Sequence, residues 1–198
     1  MMGIYQVLQR VKGLKIKLAN KLIFSVSVGH MGRGSLIAYP AKLNNPKGIT
    51  VSDGAVVNEN SWLYCCEKDS RINICSDAQI GHYFHCVAMT EVRIEESVLI
   101  ADRVFISDCS HEYRDINQSV KDAGLAYLSK VNIGAGSWIG EGACILGANV
   151  GKHCVIGANA VVTHDISDYS VAAGVPARVI SRYDPDRQEW IKADGDKA

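Results

Sequence analysis

The sequence is short of several things, and each shortage removes a class of protein. Its 198 residues hold only three Phe, three Trp and four Pro, so a core built from this chain is mostly aliphatic. The 21 basic and 21 acidic residues cancel, which leaves no overall electrostatic case for nucleic acid. Seven Cys (65, 66, 75, 86, 109, 144, 154) include no CxxC pair and no paired-ligand spacing. They read as reduced core cysteines of a cytosolic protein, neither a disulfide framework nor a zinc module. No apolar run is both long enough and free enough of lysine to span a bilayer or act as a signal peptide. Acidic residues are missing altogether before Asp53, whereas eight Lys and Arg have passed by Lys47.

What is present is a six-residue period. Between Val131 and Val179, Ile133, Ile139 and Ile145 open successive units, with Gly134 and Gly140 after the first two. After a one-residue slip the series resumes at Val150, Ile156 and Val162, with Gly151 and Gly157 following the first two. Small residues (Ser137, Ala143, Cys154, Ala160) stand four places after an opener. A period of six fits neither the helix nor the isolated hairpin strand. It fits a chain that makes a short strand, turns a corner and repeats; three units close a triangle, and stacked triangles form a parallel β-helix. The glycines are expected where corners need a positive φ or where the bore is too tight for a side chain.

Residues 29–182 carry the repeat, which predicts an all-β solenoid. Val51, Val57 and Leu63 run at six, with Ile49, Ala55 and Ser61 two places earlier. Ile74, Ile80, Cys86, Val92, Val98 and Val104 continue the pattern, and Ile94, Ile100 and Ile106 accompany it two residues on. Both positions then point inward from one strand. Phase is lost between Trp62 and Ile74, which predicts a bulge or small corner loop. Residues 183–198 form a C-terminal tail.

Residues 1–28 form a basic amphipathic arm. Ile4, Val7, Leu8, Val11 and Leu14 fall on one side of a helix, and Arg10, Lys12, Lys15, Lys17 and Lys21 supply its charge. Two readings stand: a helix that caps the open end of the solenoid, and an interfacial helix held at anionic lipid.

One stretch, residues 110–130, breaks the repeat. A long charged excursion from a regular solenoid points to function. It opens with His111, fixed at the end of the coil that holds Val104 and Ile106, and such a histidine is a candidate general base. The other histidines (30, 82, 85, 153, 164) read as corner residues or structural hydrogen-bonders.

The segments VFISDCSH (104–111), VIGANAVVTHDI (155–166) and AAGVPARVI (172–180) resemble the hexapeptide-repeat acyltransferases. They are most similar to the sugar O-acetyltransferase branch, which includes the galactoside and maltose enzymes and acetyltransferases of surface-polysaccharide gene clusters. The resemblance covers residues 29 to 182 and is sharpest from 98 to 180. It implies a left-handed parallel β-helix with a short N-terminal helix and an excursion loop, acetyl-CoA as co-substrate, no metal, and a saccharide acceptor. It further implies a homotrimer with active sites between subunits. The family's catalytic histidine falls on His111, with Asp108, Asp115 or a backbone oxygen as candidate orienters of its ring.

The carry-over to the cofactor site rests on Trp138, Gly140 and Glu141 in GSWIGEG, on Ala158, on Thr163 with His164, and on Arg178 with Arg182 as a helper. Glu141 stands where relatives often have Ser or Asn. For the acceptor, Tyr83 and His85 lie nearest in register. Cys109 is a candidate nucleophile for a ping-pong route. Three further readings stay open: a sugar N-acetyltransferase, a zinc site of γ-carbonic-anhydrase type on His82, His85 and His111, and a scaffold without catalysis.

Overall fold

The computed structural model describes residues 4–193 and is a left-handed parallel β-helix of about seven turns. The first face stacks the strands His30–Met31, Ile49–Val51, Arg71–Ile74, Glu91–Ile94 and Val131–Ile133, extended by bridges through Val150 and Ile166. The second face begins with Leu36–Ile37, Val56–Val57, Gln79–Ile80, Leu99–Ile100, Trp138–Ile139 and Val155–Ile156. The third stacks Ala41–Asn44, Ser61–Cys65, His85–Ala88, Phe105–Ser107, Cys144–Leu146 and Val161–Val162. Every opener of the six-residue series is buried, from Val51 and Val57 through Ile94, Ile100 and Ile106 to Ile156 and Val162. Each such aliphatic side chain removed from water contributes about 1.5–3 kcal/mol, and this column holds the triangle closed.

The register explains why the period is easy to read in one place and not another. Ile74 pairs with Ile94 and Ile80 with Ile100, so both inward positions repeat at the same interval from one turn to the next. Cys86 pairs with Ile106, whereas Val92 pairs with Ile72, one inward slot before Ile74. The continuous run of sixes through Cys86 and Val92 therefore crosses from one inward position to the other. Val57 pairs with Ile80, a longer step along the chain; the excess lies in the corner between Cys65 and Arg71, where phase is lost. Later turns shorten: Ile139 pairs with Ile156, a shorter step, as the slip at Ala148 requires.

Two kinds of glycine serve this geometry. A Cβ on Gly134 would lie 2.5 Å from the carbonyl carbon of Gly151, so the glycine after an opener lets two turns approach. The positive φ falls two residues later, at Gly136 (φ 68°). Ser137, four places after its opener, is buried and bridges two turns, donating to Gly151 O at 2.8 Å and accepting from Cys154 N at 2.9 Å.

Both ends of the solenoid are closed. At the C-terminal end, Ser170–Ala173 pairs antiparallel with Arg178–Asp184, which pairs with Glu189–Lys192. The boundary expected at residue 182 thus falls inside a strand, and the tail through residue 193 belongs to the second sheet; the last five residues lie outside the described ones.

At the other end lies α1 (Ile4–Ala19), followed by a π-helical turn at Asn20–Phe24 and a last turn at Ser25–Ser27. Asn20 is buried and takes the place of a neighbouring strand: its Nδ2 donates to Ile37 O and its Oδ1 accepts from Ile37 N, both at 2.7 Å. The wider π turn brings Phe24 and then Val28 into the core. Lys12 reaches Glu59 at 2.6 Å. The helix caps the solenoid with the side opposite its apolar row. Ile4, Leu8, Val11 and Leu14 are all exposed, because the capping contacts come from the opposite side. The first three residues, and the side chains of Val7, Lys17 and Lys21, lie outside the described residues.

Candidate active site

The chain leaves the solenoid at Ser107–Cys109, and the exit is rigid. The Ser107 hydroxyl donates to Cys109 O at 2.8 Å and accepts from Cys109 N at 3.1 Å, closing a local turn. Asp108 is fully buried; its carboxylate accepts from the N–H groups of Met89, Thr90 and Glu91 and from the Thr90 hydroxyl, at 2.6–2.9 Å. The strand Cys109–His111 then pairs antiparallel with Leu125–Tyr127, His111 opposite Leu125. Leu128 N donates to Asp108 O at 2.9 Å, so the same residue anchors the return. The excursion is a hairpin clamped at its root, not a plain loop.

Its base forms one wall of a cavity of about 520 Å³, at which His111 meets the outward side chains of the third face. Those side chains form a ladder across successive turns: Lys42 beside Trp62, Trp62 beside His85, His85 beside Phe105. The Lys42 ammonium lies 3.9 Å from the Trp62 ring centroid, and His85 stacks on the other side of that indole at 4.4 Å. Burial and then the Lys42 charge hold the His85 imidazole below its ordinary pKa, which keeps it neutral near pH 7. Among the described residues, His85 Nε2 and Trp62 Nε1 are buried nitrogens with no hydrogen-bond partner. Buried polar atoms left unpaired at a cavity wall are ready partners for a polar ligand.

The expected site residues fall in three places. His111 and His85 share the cavity. Tyr83 does not line it: it stands at a corner with φ 56°, and its N–H donates to Glu59 O. Neither carboxylate expected to orient His111 bonds its ring among the described residues. Asp108 is saturated by the donors of the 89–91 turn, and Asp115 accepts from Asn117 N at 2.9 Å within the excursion. Cys109 is buried, and burial raises its thiol pKa; the neighbouring Cys66 is pushed up to about 12, chiefly by burial. Thiols so protonated make poor nucleophiles.

The cofactor candidates sit on later turns. Trp138 is exposed on the second face, paired with Leu99 and Val155. Gly140 and Ala158 stack on adjacent turns, so closely that a Cβ on Gly140 would lie 2.6 Å from Ala158 N. Beside them Glu141 is ion-paired with Arg103, which fixes its carboxylate. Thr163 and His164 share a hydrogen bond at 3.0 Å at the next corner. Arg178 follows Ala177, whose N–H donates to Val161 O at 2.8 Å.

Within one chain the three histidines of a zinc reading do not converge. His82 bonds Glu59 at 2.9 Å and Asp102 at 3.3 Å on a corner, while His85 stacks on Trp62 and His111 stands on the excursion. No group of three His, Cys, Asp or Glu among the described residues could hold a metal ion. Sequence reading missed Lys42, Trp62 and Phe105 as partners of His85. The available signal was their alternation with the inward residues of their strands, as in Ser61, Trp62, Leu63, which marks an outward position.

No family model matches the chain. It is 31% identical over 163 residues to a galactoside O-acetyltransferase of Escherichia coli K12, covering 78% of this chain and 77% of that protein. It is 36% identical over 124 residues to a candidate lipopolysaccharide-biosynthesis O-acetyl transferase of the same organism, covering 59% and 63% respectively. An N-acyltransferase from Bacillus cereus, solved with dTDP and 3-hydroxybutyryl-CoA, has the same fold, with a TM-score of 0.72 at 16% identity over 85% of this chain and 90% of that one. Against two of its curated relatives, the chain spans 54% and 63% of their length.

Proposed function

The chain belongs to the hexapeptide-repeat acyltransferase family, in its sugar O-acetyltransferase branch, and on that premise we propose that it moves the acetyl group of acetyl-CoA to a hydroxyl of a saccharide. One observation carries the reading: His111 stands on a rigid exit from the solenoid, at a cavity it shares with the neutral, stacked His85. Acetyl-CoA supplies an activated thioester. A sugar hydroxyl attacks it poorly unless its proton leaves at the same time. His111 accepts that proton at a ring nitrogen and returns it to the departing thiolate. His85 Nε2 and Trp62 Nε1 orient the acceptor by hydrogen bonding. Gly140 and Ala158 leave a ledge bare of bulky side chains, on which the pantetheine arm would lie. Trp138 flanks that arm, and His164 with Arg178 would meet the phosphates.

A neighbouring subunit would complete the site at this cavity. On the second face the outward ladder Leu36, Val56, Gln79, Leu99, Trp138 and Val155 is apolar at every rung but Gln79, where a face turned to water would carry mostly polar residues. That supports the homotrimer. The lipopolysaccharide-related name of one relative supports a role in building a surface polysaccharide.

The test is thiol release from acetyl-CoA across a panel of free and nucleotide-linked sugars, with the product weighed by mass spectrometry. A gain of one acetyl on a hydroxyl supports the proposal. Transfer only to amino sugars would make the chain an N-acetyltransferase, and no transfer to any sugar would overturn the reading.

A further inference from the structure

We propose that the outward face of the N-terminal helix is a docking surface for an anionic lipid bilayer. Among its described side chains, the helix meets its own domain with one side. Asn20, Phe24 and Val28 close the first turn of the solenoid, and Lys12 is tied to Glu59. On the other side Ile4, Leu8, Val11, Leu14, Leu18 and Leu22 follow at spacings of three and four, which places them in one row along the helix. All six are exposed, Ile4 at 82% and Leu14 at 69%. A solvated surface helix has no use for such a row.

Charge selects the occupant. The helix carries Arg10, Lys12, Lys15, Lys17 and Lys21 and no acidic residue. Arg10 and Lys15 are exposed beside the row. A second copy of this face would bring two cationic helices together, whereas anionic headgroups complement the cations while acyl chains take up the leucines. From Ile4 to Phe24 the helix extends roughly 30 Å at about 1.5 Å per residue, long enough to lie in the plane of a leaflet. No helix among the described residues is long and apolar enough to cross a membrane.

The inference does not depend on acyl transfer, so it fails or stands separately. The full chain would be sedimented with vesicles of phosphatidylcholine alone and with vesicles containing phosphatidylglycerol. Binding at least tenfold tighter to the anionic vesicles is expected. Arg10→Gln with Lys15→Gln should weaken it about 25-fold, at about fivefold per cation. Leu8→Gln with Leu14→Gln should abolish it while leaving the melting temperature unchanged. Absence of binding, or equal binding to neutral vesicles, would overturn the proposal. So would light scattering that shows a larger oligomer without lipid, dissociated by the two leucine substitutions, because the face would then belong to a second copy.

Discussion

The imidazole of His85 lies flat against the indole of Trp62, with centroids 4.4 Å apart and planes within 4° of parallel. Lys42 sits over the same indole at 3.9 Å, so a proton arriving on His85 meets a poorly solvated ring near a fixed positive charge. The folded pKa is therefore below the unfolded value. A group shifted this way contributes stability that is present above the unfolded pKa, near 6.5, and is lost as pH falls through the folded one.

This predicts a pH-dependent melting temperature with an identifiable source. Wild type should lose stability between about pH 7 and 5 more steeply than His85→Phe, which keeps the stack and cannot titrate. Calorimetry of both proteins across that range measures the difference. Equal slopes would mean that His85 is not the group responsible.

Asp108 separates a structural carboxylate from a catalytic one. Its four donors make it the clamp of the 89–91 turn and of the excursion's root. Asp108→Ala should cost about 3–5 kcal/mol, since it strips buried donors of their partner. Urea unfolding with kinetics in parallel decides the matter. A variant of unchanged stability and much lower kcat would return Asp108 to the role of orienting His111.

The stacking distance makes its own prediction at Gly134. A Cβ there would press on the backbone of Gly151 and Lys152, which cannot turn aside as a side chain would. Gly134→Ala should destabilise by about 1–3 kcal/mol. Gly13→Ala, on a helix with nothing within 4 Å of the added carbon, should be neutral or stabilising by up to about 1 kcal/mol. Equilibrium unfolding of the two variants gives the comparison.

The solenoid was legible because a bore that admits only aliphatic side chains imposes one residue type at a fixed interval; Ile133, Ile139 and Ile145 announce themselves. The extra corner residues before Arg71 were visible only as lost phase. The hairpin at Cys109–His111 was not visible, since neither arm repeats. His111 could be found by its place at the edge of the repeat. The partners of His85 were legible only as outward positions, because Lys42, Trp62 and Phe105 lie on different turns, far apart in sequence, and meet only through the register. The orientation of the helix was out of reach for a related reason. Its periodicity showed an apolar face, but not which face would turn inward, and a single π turn at Asn20–Phe24 decided that.

The most direct measurement of the central claim is the rate of thiol release from acetyl-CoA, with a sugar acceptor found in the panel, for wild type beside His111→Ala. The His111 side chain is exposed and forms no hydrogen bond with a core residue among the described residues, so the variant should melt at the wild-type temperature. Loss of the general base should lower kcat by about 10²–10⁴-fold. A variant that folds normally and turns over at close to the wild-type rate would contradict the account and remove His111 from the chemistry.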